Sequence, residues 1–238
     1  MAAKSLLTKD IFPSGKHTAT VIFFHGSGDS GENLLQWIRF LICRDFQSSY
    51  IKFIFPTAPI QPYTKLNGRP SKIWFDRQAI DIESIENRKS LSNIFPYVAD
   101  LIKREVELGI PLQRIVVGGY SMGGTLAIYT GYHLFQNVAA VFACSSFLNN
   151  DAMLFEDLKS CRKIQLPKLL YFHGTADELV RYEWGRKTFE RLKELGVDGE
   201  FRSIENMYHE IQKQQCLYLE KWFHDILPSL DVHLKNKL

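Results

Sequence analysis

Residues 114–127 read Arg114-Ile115-Val116-Val117-Gly118-Gly119-Tyr120-Ser121-Met122-Gly123-Gly124-Thr125-Leu126-Ala127. Ile115 to Val117 is a short β-branched run, as expected of a strand buried on both faces. Thr125 to Tyr129 reads as the start of a helix. Between them, Gly119-Tyr120-Ser121-Met122-Gly123 is a G-x-S-x-G pattern in the strand-to-helix context that a nucleophile elbow requires. So tight a turn admits no bulk beside the serine, and Gly119 and Gly123 supply none. The hydroxyl of Ser121 would stand over a helix N-terminus, whose N–H groups favour negative charge. The competing reading is a glycine-rich turn whose serine caps the helix.

Elsewhere, strand-like and helix-like stretches alternate. Leu6 to Phe12 reads as an edge strand, and Thr18 to Phe24 as a strand ending in His25-Gly26-Ser27-Gly28-Asp29-Ser30-Gly31. Asn33 to Cys43 has helical spacing, and Ile51 to Phe55 is a strand followed by Pro56-Thr57-Ala58-Pro59. Residues 59–86 look irregular and carry Trp74-Phe75-Asp76, which would either pin a surface loop by aromatic burial or wall a cleft. Ser90 to Leu108 is an amphipathic helix with Val106 on its core face and Pro96 in its first turn, where proline is tolerated. Val138 to Ala143, Lys168 to Phe172 and Glu200 to Ile204 are further strands. Tyr182 to Leu195 and Ile211 to Leu227 are helices, and 228–238 is a polar tail. The order implies an α/β fold with a mostly parallel central sheet and helices on both faces, as one domain over 1–238.

Chemistry needs more than a serine. A hydroxyl is a poor nucleophile without a base held by a third group. Two later strand ends offer these partners: His173-Gly174-Thr175-Ala176-Asp177-Glu178, and Asn206-Met207-Tyr208-His209-Glu210. The order Ser, Asp, His is that of the α/β-hydrolase triad, and strand ends in such a sheet converge on one crevice. Asp177 is preferred to Glu178 because it comes first after the strand. His25, His173 and His224 read as structural or surface residues. The expected oxyanion donors are the backbone N–H groups of Ser27 and Met122, with Trp74 and Phe75 as candidates for the substrate cleft.

The rivals are weaker. Gly26, Gly28 and Gly31 also satisfy G-x-G-x-x-G, but the following strand ends without the acid that a dinucleotide site wants about 20 residues on. A net charge of +3, with acids interleaved among Arg186, Lys187, Arg191 and Lys193, describes a solvated helix rather than a nucleic-acid stripe. No cluster of His, Cys and Asp has metal-ligand spacing, and no cofactor is expected. Cys43, Cys144, Cys161 and Cys216 are widely spaced, and no apolar run approaches a transmembrane span. These features predict a cytoplasmic protein without stable membrane insertion. They leave its oligomeric state open.

Together, the segments His25 to Gly31, Pro56 to Pro59, Trp74 to Asp76, Gly118 to Gly124, His173 to Asp177 and Tyr208 to Glu210 resemble the acyl-protein thioesterase and lysophospholipase family of α/β-hydrolases. They are most similar to its lysophospholipase-like branch. The resemblance implies a serine hydrolase of acyl esters or thioesters, including S-acylated proteins. The alternatives are a short-chain carboxylesterase or lysophospholipase without protein substrates, and an inactive hydrolase-fold binding module. The resemblance carries nucleophile, acid and base onto Ser121, Asp177 and His209. The thioesterase branch usually has glutamine at the position of Met122 and an apolar residue at that of Ser27, and both positions would act through the backbone.

Overall fold

A computed structural model describes residues 5–160 and 165–230. Cys161 and the last eight residues of the expected polar tail lie outside the described residues. In chain order the elements are β1 (Leu7–Ile11), β2 (Ala19–Phe24), α1 (Gly31–Ile42), β3 (Ile51–Thr57), β4 (Ile60–Tyr63) and β5 (Arg69–Lys72). There follow α2 (Arg88–Glu107), β6 (Ile115–Tyr120), α3 (Met122–Tyr129), β7 (Ala140–Cys144) and α4 (Met153–Ser160). The chain continues with β8 (Lys168–Gly174), α5 (Tyr182–Glu194), β9 (Gly199–Ile204) and α6 (Lys213–Ile226).

Seven strands form one sheet in the order β1-β3-β2-β6-β7-β8-β9. Only β1 runs antiparallel, against β3; the remaining pairs are parallel. The β-branched and aromatic strands account for this arrangement. Alternate residues of one strand feed two cores. Ile22, Phe24, Val117, Val141 and Tyr171 pack with residues of α2 and α3 on one face, while Val21, Phe23, Val116, Phe142 and Phe172 pack with residues of α1 and α6 on the other. Central strands buried on both faces must read as near-continuous apolar runs, as β2 and β6 do.

Several expectations are corrected. Residues 59–86 are not wholly irregular, because β4 and β5 pair antiparallel as a hairpin. That hairpin holds the loop after β2: the N–H of Gly28, at φ 84°, donates to the Lys72 carbonyl at 2.8 Å. Trp74 is wholly buried rather than walling a cleft, and its indole N–H donates to the His25 carbonyl at 2.7 Å. Phe75 is buried as well. Helix α2 starts earlier than expected because the Asn87 side chain caps it, accepting from the Ser90 N–H. Pro96 therefore lies in the helix interior, but it and Ser92, whose carbonyl it leaves unpaired, are both exposed to water. Val106 faces solvent rather than the core.

His25 ties three loops together. Its Nδ1 lies 2.6 Å from the Gly26 carbonyl, which only accepts, and its Nε2 receives the Ala58 N–H at 3.0 Å. Only the neutral ring protonated on Nδ1 satisfies both. Burial lowers its pKa to about 4, against the smaller opposing pull of the Gly26 carbonyl. The folded protein thus binds fewer protons here than the unfolded chain between pH 6.5 and 4, so stability is complete above this window and is lost as pH falls through it. The contribution at neutral pH is on the order of 3 kcal/mol. Urea denaturation at pH 7 and pH 5 should show a larger loss for the wild type than for His25→Gln, which keeps only the share of groups such as His17; equal losses would contradict the assignment.

Candidate active site

The chain leaves β6 and turns into α3 within one residue. Ser121 sits at φ 53° and ψ −122°, an arrangement an L-residue rarely adopts. Its neighbours permit this only because they lack side chains. A Cβ on Gly119 would lie 2.2 Å from the Gly123 backbone, and one on Gly123 would lie 2.3 Å from the Phe24 carbonyl oxygen. The Ser121 N–H donates to the Cys144 carbonyl at 2.8 Å, and its own carbonyl receives the Ser146 hydroxyl. The strained residue is thereby held on both sides by the end of β7 and the turn after it.

Ser121, Asp177 and His209 come together although they are far apart in sequence. His209 Nε2 lies 3.1 Å from Ser121 Oγ, and His209 Nδ1 lies 2.8 Å from Asp177 Oδ2. Asp177 is buried. Burial acts to raise its pKa, but contacts from His173 and His209 and the Val180 N–H outweigh this and hold it well below the usual carboxylate range. Its Oδ1 accepts the N–H groups of Leu179 and Val180 at 3.1 and 2.9 Å. The carboxylate is therefore a fixed anion, and it selects the histidine tautomer that leaves Nε2 free to accept a proton. Glu178 is exposed, so the acid in contact with His209 is Asp177.

The three histidines read as structural or surface residues each have a backbone carbonyl partner. His25 is the loop tie described above. His173 Nε2 donates to the Val180 carbonyl at 2.8 Å and approaches Asp177 Oδ2 at 3.5 Å, bracing the acid loop from below. His224 bridges the Tyr50 hydroxyl and the Gln47 carbonyl.

The glycine loop lies against the serine: a Cβ on Gly26 would come within 3.4 Å of Ser121 Cβ. The Ser27 N–H donates to no other group among the described residues. Met122 is the first residue of α3, so its N–H has no carbonyl partner within that helix. Two free donors are thus carried by the residues after Gly26 and after the serine.

Two supporting residues were missed by sequence reasoning. The Tyr120 hydroxyl donates to the His209 carbonyl at 2.8 Å, and its ring packs on the imidazole at 5.0 Å. Ser146 clamps the elbow. The signal for Tyr120 was its place beside the serine; for Ser146 there was none, because the contact depends on how β7 pairs with β6.

The family described as phospholipase/carboxylesterase matches residues 11–225. Lysophospholipase-like protein 1 of Mus musculus is 40% identical over 219 residues, covering 92% of this chain and 91% of the relative. Acyl-protein thioesterase 1 homolog 1 of Dictyostelium discoideum is 32% identical, covering 90% and 92%. The crystal structure of Zea mays acyl-protein thioesterase 2 superposes with a TM-score of 0.80 at 26% identity, covering 93% of this chain and 99% of that one. The chain belongs to the phospholipase/carboxylesterase family, has the α/β-hydrolase fold, and is a serine hydrolase of the carboxylesterase and acyl-protein-thioesterase-like class.

Proposed function

We propose that this protein cleaves carboxylic esters or thioesters of acyl chains through a Ser121-His209-Asp177 triad, with acylated cysteines of proteins among its substrates. The observation that carries this is the unbroken relay from Asp177 Oδ2 to His209 and on to Ser121 Oγ, at 2.8 and 3.1 Å. The thioesterase names of its relatives support thioester substrates.

In the first step Ser121 Oγ attacks the carbonyl carbon as His209 Nε2 takes its proton. The carbonyl electron pair moves onto oxygen, and the backbone N–H groups of Ser27 and Met122 hold the resulting oxyanion. Asp177 stabilises the imidazolium without itself being protonated, as its depressed pKa requires. The oxyanion pair then re-forms the carbonyl, the C–O or C–S bond to the leaving group breaks, and His209 gives its proton to the departing alkoxide or thiolate, leaving an acyl-enzyme. Water, activated by the same imidazole, hydrolyses the acyl-enzyme and restores Ser121.

The reading extends to residues 1–238 as one hydrolase domain, supported by a seven-stranded sheet with β1 at one edge and β9 at the other. A reducing, cytoplasmic location is supported by the free thiols of Cys43, Cys144 and Cys216. No helix among the described residues is long and apolar enough to cross a membrane.

A fluorophosphonate probe should label the protein once, and Ser121→Ala should abolish labelling; a mutant that still labels would remove Ser121 from the mechanism. Asp177→Asn should lower kcat by up to about 10⁴, the scale of the equivalent change in a serine protease, because the amide favours the wrong tautomer. Glu178→Gln should leave turnover near the wild-type value, and the reverse ranking would transfer the role to Glu178.

The oxyanion assignment separates backbone from side chain. Ser27→Ala keeps the N–H and should retain most turnover of a small activated ester. Ser27→Pro deletes the donor and should cost about 10²–10³ in kcat, the scale of one oxyanion contact. A Ser27→Pro protein that melts normally and turns over normally would mean the second donor lies elsewhere.

A further inference from the structure

Arg77 is the buried charge the mechanism does not use. Its guanidinium lies between two aromatic faces, 4.9 Å from the Phe75 ring centroid and 4.8 Å from that of Phe147. The residue is 7% exposed, and its Nε and Nη2 are sealed without a hydrogen-bond partner. No carboxylate among the described residues comes within ion-pairing distance of it. The nearby acids are committed elsewhere. Asp76 accepts the N–H and hydroxyl of Thr64, and Glu86 accepts the Tyr129 hydroxyl and the Met153 N–H. Burial lowers the arginine's pKa to about 10, which leaves it charged at neutral pH.

A second unpartnered group stands beside it. The hydroxyl of Tyr63, a buried residue at the end of β4, makes no hydrogen bond of normal geometry. Its polar neighbours are the Arg77 guanidinium, the Ser27 side chain and Asp76. Burial raises its pKa, so it is a neutral hydroxyl able to donate.

These groups connect to the Ser121 turn through the residues they touch. Ser27 is the expected oxyanion residue. Phe147 follows Ser146, whose hydroxyl holds the Ser121 carbonyl, and the Phe147 carbonyl receives the Thr125 hydroxyl of α3. Phe147 also clusters with Val180, whose N–H binds Asp177. Arg77 thus touches Phe147, which packs against the acid loop at Val180, and Tyr63 interacts with Ser27 of the glycine loop. A cation with no ion pair, stacked between aromatic rings and sensing Glu86 only at longer range, is a costly fixture in a folded protein but a prepared one for an incoming anion.

We propose that Arg77 and Tyr63 form a recognition site for an anionic group of the substrate, a carboxylate or phosphate carried a short distance from the scissile carbonyl. This rests on the hydrolase reading above and adds a substrate class to it. The carboxylate would come at the far end of a short acyl chain, and the phosphate from the leaving group.

Two matched pairs of substrates distinguish these sources: mono-4-nitrophenyl glutarate against 4-nitrophenyl butyrate, and butyryl glycerol phosphate against butyryl glycerol. The wild-type protein should favour the charged member of one pair in kcat/KM. Arg77→Met should lower that preference about 10- to 100-fold, the range of a charge-assisted hydrogen bond. Arg77→Lys, which keeps the charge but not the planar fork, should lose part of it. In parallel, calorimetry of the Ser121→Ala protein with glutarate and with glycerol phosphate reads binding without turnover, and Arg77→Met should weaken one of them.

If uncharged esters are cleaved but neither preference nor binding depends on Arg77, the anion site is overturned while the hydrolase reading stands. If no ester is cleaved and no probe labels Ser121, yet Arg77→Met weakens binding, the hydrolase reading falls and the anion site stands. Should Arg77→Met fail to fold, as judged by circular dichroism, Arg77→Lys decides: an unchanged charged-to-uncharged ratio overturns the site.

Discussion

The structure depends on one close approach. Gly123 at the start of α3 lies against the carbonyls of Phe24 and His25 at the end of β2, too near for any side chain. That contact brings the Ser121 turn and the glycine loop together with nothing between them. It sets the loop that carries Ser27 beside the turn that carries Met122, a turn in which Ser121 has a positive φ. A non-glycine residue in such a region costs about 1–3 kcal/mol and persists only when its surroundings over-determine it. Here the surroundings are the Cys144 carbonyl, the Ser146 hydroxyl and the first turn of α3.

The electrostatics follow from the same placement. Three strand ends deliver a hydroxyl, an imidazole and a carboxylate to one edge of the sheet, and burial alone would neutralise the carboxylate. Asp177 stays ionised because two N–H groups and two histidines face it. His173 serves this by being fixed: its Nε2 proton is engaged by the Val180 carbonyl, on the same turn whose N–H binds the acid. The acid loop therefore closes on itself, and Asp177 Oδ2 is left to meet His209. Tyr120 limits the imidazole from the other side by holding the His209 carbonyl.

Much of this was legible in the sequence, for a physical reason. Buried parallel strands need unbroken apolar runs, and chemistry at the carboxyl end of a sheet sits just after them. Ser121, Asp177 and His209 could thus be found by position as well as by residue type. What escaped was set by contacts distant in sequence. The β4–β5 hairpin contains Pro62 and Pro70, facing each other in register, and so lacks a strand's usual composition. Trp74 reads equally as cleft wall or anchor until the His25 carbonyl is seen to receive its N–H. Pro96 was placed too early because Asn87, not a residue nearer the apolar run, caps α2. Ser146 and Arg77 carry no pattern at all, since their partners lie on other elements.

The loop between β5 and α2 shows how a long irregular segment becomes precise enough to hold a charge. At one end Trp74 is anchored to the His25 carbonyl. At the other, the Glu86 N–H binds the Asp151 carboxylate, and the Glu86 carboxylate binds Tyr129 and Met153. Between them, Asn149 donates to the carbonyls of Asp81 and Ser84, and the Asn150 N–H donates to that of Ile82. Ile82 packs with Phe147 and Val180. A segment fixed at so many points has little freedom to relax around an unpaired guanidinium. Arg77 therefore keeps its position between two rings because the backbone on either side of it is held, and not because the arginine finds a partner of its own. The same ties fix it relative to the turn carrying Ser146, which holds Ser121, so the distance from guanidinium to Ser121 is a property of the scaffold.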